Sequence, residues 1–223
     1  MNGRFITFEG TEGSGKSTQI SLLAERLRFI GYTVRTIREP GGTPIGEEIR
    51  HTLKHSLANQ AMTSEAELLL MNASRAQLVR EVIRPALDGG EIVLSDRFFD
   101  STIAYQGFGR QLDLAVVKAI IDLAVGDTRP DLTLLLVVPA AVSAERLLAR
   151  QSTLPFMRDR IEESDRSFFE RVAKGYQAIA TAEPQRICQI EASACITEIK
   201  QRIWTLVEPL LPPRPAHPSI PAS

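Results

Sequence analysis

The 223-residue chain predicts an α/β fold, a five-stranded parallel sheet flanked by helices on both faces. Three observations carry this. Short β-type runs alternate with stretches of helical periodicity, the first run breaks into glycines that open onto a helix, and the strands are separated by segments long enough to cross the sheet as parallel connections.

Arg4 to Glu9 (RFITFE) is the first strand, and Lys16 to Ile30 repeats Ile20, Leu23, Ala24 and Leu27 at helical spacing before Gly31 stops the helix. Tyr32 to Ile37 reads as the second strand, followed by the turn-rich REPGGT at 38 to 43 and a helix from about Ile45 to Leu57. A long helix is expected over Ser64 to Leu87, a strand at Ile92 to Ser95, a helix across Leu114 to Val125 and a strand at Leu132 to Val138. Helix resumes at Ser143 to Arg150, a fifth strand fits Arg186 to Ile190, and a last helix fits Ile196 to Leu206. Pro155 and mixed polarity break the periodicity of Gln151 to Arg160, which makes that segment a candidate mobile loop. Six prolines between Pro209 and Pro221 predict an extended, poorly ordered tail.

Composition narrows the function. Lys plus Arg total 26 against 27 Asp plus Glu, so no net basic field is available to hold a nucleic-acid backbone. The apolar run that begins at Leu134 is far shorter than the ~20 residues that cross a bilayer, and the amino terminus carries no signal-type pattern; the chain reads as soluble and cytoplasmic. Cys188 and Cys195 make no disulfide framework and no zinc spacing, and read as reduced structural thiols. Only five of the basic residues are Lys, leaving 21 Arg, the side chain that grips phosphate and carboxylate as a fork. Arg-rich coding accounts equally well for that count, so position has to decide.

Position decides first at Gly10-Thr11-Glu12-Gly13-Ser14-Gly15-Lys16-Ser17, which fits G-x-x-x-x-G-K-[ST] between a strand and a helix. Glycines let the backbone N–H groups converge on phosphate oxygens, and the helix that follows aims its positive end at the same point. Lys16 then reaches the β and γ phosphates of a nucleoside triphosphate, Ser17 offers its hydroxyl to Mg2+, and Thr18 adds a hydroxyl toward the α phosphate. The Asn-Lys-x-Asp guanine reader and the Leu-Ser-Gly-Gly-Gln signature are both missing, and the strand at Ile92 ends in Asp96-Arg97 rather than Asp-Glu. A GTP switch, a transporter ATPase and a motor ATPase are thereby set aside. Asp96 falls at the carboxyl end of a parallel strand, where open α/β sheets bind ligands, and is placed to hold Mg2+ through water. Arg97 beside it calls for a second anion.

Three stretches together resemble thymidylate kinase: FEGTEGSGKST (8 to 18), REPGGT (38 to 43) and DRFFDSTIAYQGFGR (96 to 110). The resemblance runs from about residue 4 to about 206. It implies a P-loop nucleoside monophosphate kinase fold with a mobile lid, spanning residues 1–208 with the lid at about 146–160, and a tail at 209–223. It implies an enzyme, a phosphotransferase that moves the γ-phosphoryl of ATP onto the 5′-phosphate of dTMP to give dTDP, a step toward dTTP, with Mg2+ and as a homodimer. Residue by residue, Glu12 resembles the acidic contact to the acceptor deoxyribose, Glu39 and Pro40 the loop beside the acceptor, and Arg50 and Arg97 the arginines on the dTMP phosphate. Met71 stands where the family usually presents a stacking phenylalanine, and Arg75, one helical turn on, resembles the residue that reaches a base oxygen. Ser101, Thr102, Tyr105 and Gln106 resemble the residues around base and sugar, with Tyr105 placed to discourage a 2′-hydroxyl. In the family it resembles, forms whose P-loop lacks an arginine carry one in the lid, and this P-loop has none. Arg150 resembles it, with Arg158 and Arg160 as alternatives. No general base is needed, since the nucleophile is already an ionised phosphate oxygen. Two rival readings remain: a deoxynucleoside or other nucleoside monophosphate kinase sharing P-loop and lid, against which Asp96-Arg97 followed by Tyr105-Gln106 favours dTMP, and a nucleotide-binding regulator without phosphoryl transfer, against which Lys16, Ser17 and the lid arginines stand.

Overall fold

A computed structural model describes residues 3–151, 160–161 and 165–213. Five strands, β1 (Arg4–Glu9), β2 (Val34–Arg38), β3 (Ile92–Asp96), β4 (Leu132–Val137) and β5 (Ile187–Glu191), form one all-parallel sheet in the order β2-β3-β1-β4-β5. All five predicted strands are present, within two residues of their expected bounds.

Period-2 alternation splits the core into two layers. On one face Ile6 and Phe8 of β1 and Leu134 and Leu136 of β4 pack on α1 (Lys16–Phe29) and α9 (Ile196–Val207), with Trp204 in the same cluster. On the other, Phe5, Val93 and Leu135 meet α3 (Ser64–Leu78), α6 (Leu114–Val125) and α8 (Arg166–Ala182). α2 (Pro44–Lys54) follows β2 and is capped by Thr43, whose hydroxyl accepts from the Gly46 N–H.

The long helix expected from Ser64 runs on to Asp88 without a break in its helical backbone. A five-residue π-helical turn, Val79–Ile83, separates α3 from α4 (Arg84–Asp88). Pro85 is the cause. A proline inside a helix withdraws one N–H and crowds the preceding turn, and a wider turn absorbs both effects.

Two helices were not legible beforehand. Between β3 and α6, α5 (Phe99–Thr102) runs into a π-helical stretch, Ile103–Gly109, a segment to which the sequence pattern assigns no element. The other is α8, whose Phe168, Val172, Tyr176, Ile179 and Ala180 form an apolar stripe behind the Asp165 cap. α7 (Ala140–Gln151) starts three residues before its expected Ser143. The candidate loop at 151–160 lies almost wholly outside the described residues, as does the tail beyond residue 213. Before that point the chain is pinned: Arg4 donates to the Leu210 carbonyl at 2.6 Å and Tyr32 to that of Pro212 at 2.6 Å.

Sheet order places the site. β1 and β3 are neighbours, with Phe8 opposite Asp96, so the glycine loop after β1 and the Asp96-Arg97 pair after β3 emerge side by side at the carboxyl edge.

Candidate active site

The loop between β1 and α1 is shaped by glycine. Gly10 holds φ at 132°, and a Cβ there would sit 2.3 Å from the Leu136 carbonyl oxygen, so only glycine lets the loop lie against β4. Gly15, at φ 92°, opens α1 with no side-chain cap, leaving the first N–H groups of the helix to an anion. Ser14 Oγ is buried without a hydrogen-bond partner in the same loop, a polar atom suited to a phosphate oxygen. Lys16 is buried beneath, its Nζ donating to the carbonyls of Gly10 at 3.1 Å and Thr11 at 3.0 Å. Burial, and then the Arg97 guanidinium nearby, lower its pKa to about 8.

Ser17 and Asp96 meet as the register requires, with Ser17 Oγ donating to Asp96 Oδ2 at 2.9 Å. Two hard oxygen ligands beside a phosphate loop fit Mg2+, which takes few protein ligands and fills its shell with water and substrate phosphate. Among the described residues no cluster of three or more His, Cys, Asp or Glu offers an alternative metal centre.

Arg97 is held from several directions. Its backbone has φ at 72°, uncommon for a residue with a Cβ. Its N–H bonds the Phe8 carbonyl at 3.0 Å, its NH1 donates to Ser101 Oγ and Tyr176 Oη at 3.0 Å each, and its NH2 donates to the Tyr105 hydroxyl at 3.2 Å. Glu12 of the glycine loop lies 3.9 Å from the same guanidinium. Burial opposes the charge, but the oxygens of Tyr105, Tyr176 and Glu12 hold Arg97 firmly protonated. Such a locally unfavourable backbone persists only because its surroundings over-determine it.

Beneath Arg97 lies a carboxylate that the sequence reading passed over. Glu9, fully buried at the end of β1, accepts from the N–H groups of Phe98 at 2.7 Å and Ser101 at 3.3 Å, from Ser101 Oγ at 2.6 Å and from Tyr176 Oη at 2.8 Å. Asp100 stands close by, tied bidentately to Arg186 at 2.7 and 2.8 Å. Burial foremost, and the charge of Asp100 next, raise the Glu9 pKa to about 7. A carboxyl whose pKa is raised on folding contributes stability that is complete below the unfolded value of 4.5 and lost as pH climbs through 7. Glu9→Gln is therefore expected to gain stability relative to the wild type by roughly 1–3 kcal/mol between pH 5 and 8. Urea denaturation across that range reads it, and parallel curves would refute the assignment. The available signal was a charged residue closing an apolar strand directly before the glycine loop.

A cleft of about 500 Å3 of empty space opens beside Arg97. Its floor is made by Glu39 and Pro40, joined by a cis peptide, and by Met71 and Arg75 from α3. Ser101, Thr102, Tyr105 and Gln106 from the helix after β3 form one wall, and Glu12 and Arg97 close the end next to the glycine loop. Lys54 and Ile161 also line it and were not among the expected residues. Arg50 does not line the cleft; its NH1 donates to the Pro40 carbonyl at 2.8 Å. Arg75 is nearly inaccessible, and its five N–H donors are all bonded: Nε and NH2 to Glu39 Oε2, NH2 also to the Phe98 carbonyl, and NH1 to Asn72 and Thr102. Despite that ion pair, burial keeps the Glu39 pKa raised.

The segment after β4 is tied to the glycine loop. Ser143 Oγ donates to the Glu12 carbonyl at 2.6 Å and Arg146 to that of Gly13 at 3.3 Å. The Arg150 side chain and Arg158 lie outside the described residues. Arg160 pairs with Glu67 on α3 rather than with the glycine loop.

With this geometry in place, comparison with known proteins gives a consistent picture. The family model described as Thymidylate kinase matches residues 8–203. A thymidylate kinase of a Synechococcus species is 48% identical over 208 residues, covering 93% of this chain and 96% of its own. That of Pseudomonas fluorescens is 46% identical over 211 residues, covering 95% and 98%. The crystal structure of thymidylate kinase from Ehrlichia chaffeensis superposes with a TM-score of 0.73 at 33% identity, covering 93% of this chain and 99% of that one.

Proposed function

The chain belongs to the thymidylate kinase family, the enzymes that phosphorylate dTMP to dTDP on the way to dTTP, and from that premise we propose how its residues divide the work. The ATP triphosphate lies in the loop Gly10 to Thr18, with Lys16 against the β and γ phosphates and Thr18 toward the α phosphate. dTMP fills the adjoining cleft with its phosphate toward Arg97. The observation that carries this is the position of Arg97, which lines the acceptor cleft, approaches Glu12 of the donor loop and depresses the Lys16 pKa. Burial first, and then the like charge of Arg97, disfavour the Lys16 ammonium, a penalty that entering anions relieve.

Transfer needs alignment and charge neutralisation rather than a base. Arg97 holds the acceptor phosphate so that one of its oxygens faces the γ-phosphorus, and Arg50 supports the Pro40 turn on the same side. Ser17 and Asp96 would hold Mg2+, which when bound supplies positive charge to the β and γ oxygens. Glu12 takes the deoxyribose hydroxyl, Tyr105 packs against the 2′ position, and Met71 with Pro40 holds the base. We read 1–208 as the kinase unit, 146–160 as its lid and 209–223 as a tail. Closing of that lid brings Arg150 to the transferring phosphoryl.

Coupled ADP release with ATP and Mg2+ against dTMP, dUMP, UMP, AMP, GMP and dCMP tests the assignment. Turnover with dTMP and little with AMP, GMP or UMP is expected, and turnover with a purine monophosphate would reassign the cleft. Two variants probe individual roles. Met71→Phe should lower the KM for dTMP a few-fold, in line with the ~1 kcal/mol that a ring adds over a thioether. Arg150→Ala should cut kcat at least about 10³-fold while dTMP affinity changes little, and an intact kcat would move the lid cation to Arg158 or Arg160.

The enzyme is read as a cytoplasmic homodimer, working where ATP is plentiful and thiols such as Cys188 and Cys195 stay reduced. Exposed Leu69 on α3 and Val116 and Leu123 on α6, helices that pack on each other, supply an apolar surface for the second copy. Sedimentation velocity tests it.

A further inference from the structure

We infer that Glu67 is a positioning residue that sets the hydrogen-bond polarity of the acceptor cleft, making it accept a base with a carbonyl beside a ring N–H and refuse one with an amino group beside a bare ring nitrogen. The inference rests on the reading that this cleft holds the acceptor base.

Glu67 sits on α3, fully buried. Its Oε1 accepts from Gln106 Nε2 at 2.7 Å and from Arg110 Nε at 3.3 Å, and its Oε2 accepts from Arg110 NH2 at 3.1 Å and from Arg160 NH2. Between two guanidinium groups a carboxylate can only accept. The primary amide of Gln106 has no choice but to turn its NH2 toward Glu67. Its Oε1 is thereby left as the accepting end of the amide, and Gln106 itself lines the cleft.

A second side chain is polarised in the opposite sense. The Arg75 guanidinium, which can only donate, gives an N–H to Thr102 Oγ1 at 2.9 Å. The hydroxyl of Thr102 therefore keeps its hydrogen for another acceptor, and no described residue takes it. Thr102 and Gln106 are four residues apart on one helical stretch and both line the cleft. The wall consequently presents a donor and an acceptor together. Thymine offers the complement, O4 to accept and N3–H to donate. Cytosine offers the reverse: its bare N3 would face Gln106 Oε1, two acceptors with no hydrogen between them, so the mismatch falls on Gln106, while Thr102 can still accept through its second lone pair. Uracil shares thymine's edge, so this device does not separate dTMP from dUMP.

Glu67→Gln replaces a pure acceptor with a group that also donates. Its carbonyl stays with the arginines, its NH2 faces Gln106, and the Gln106 amide turns over to put its NH2 into the cleft. The ratio of kcat/KM for dTMP to that for dCMP is expected to fall at least tenfold, while Glu67→Asp keeps the wild-type preference. Gln106→Leu removes the cleft acceptor without touching Arg110 or Arg160, and should also lower the ratio, which keeps the test open if Glu67→Gln does not fold. An equal loss with both nucleotides, leaving the ratio unchanged in a folded variant, overturns the role of Glu67. Unchanged KM for every acceptor in Gln106→Leu overturns instead the placement of the base in this cleft.

Discussion

Lys16→Ala is expected to lower kcat for ADP production from ATP and dTMP by about 10³-fold or more, with a smaller rise in the KM for ATP. The ammonium is buried at the foot of the glycine loop with its pKa lowered to about 8, so its charge is poorly solvated until phosphate arrives. A group in that condition contributes little to the empty protein and most when negative charge moves from the γ to the β oxygens. Thermal unfolding of the variant should accordingly match or exceed that of the wild type. Near wild-type, dTMP-dependent turnover in a folded Lys16→Ala would remove Lys16 from the mechanism.

Arg97→Ala is expected to reduce kcat/KM for dTMP about 10²- to 10³-fold, with Arg97→Lys in between because a point charge replaces a fork. Here stability must be separated from chemistry. The side chain also bonds Ser101, Tyr105 and Tyr176, and its backbone sits at φ 72°. Arg97→Gly provides the control, since it relaxes the backbone and should be about 1 kcal/mol more stable than Arg97→Ala. If the lost activity follows from the missing guanidinium, both variants are equally inactive. Recovery of activity in the glycine variant would mean that loop geometry, not the fork, was limiting.

Legibility in the sequence followed the range of the interactions involved. The glycine loop was readable because its chemistry is written in eight consecutive residues between a strand and a helix, and the sheet because burial on both faces leaves apolar runs of strand length. α5 and its π-helical continuation were not, because their polar residues are satisfied only by partners far away, as when Ser101 bonds Glu9. α8 was missed although its stripe is regular, since the irregular Gln151–Arg160 segment precedes it.

The candidate site divides in the same way. Spacing and resemblance identified Glu12, Met71, Arg97 and Tyr105, and the cleft brings them together. They could not indicate that Arg75 spends every donor on its neighbours, nor that Glu9 and Glu67, remote in sequence from what they orient, lie buried under Arg97 and Gln106. The sequence by itself determined the fold class, the phosphate loop and the reaction, because these depend on local pattern and residue type. Only the tertiary structure decided which polar atoms remain free to meet a substrate, because that is what is left after every buried donor and acceptor has found its partner, and those partners come from strands and helices distant along the chain.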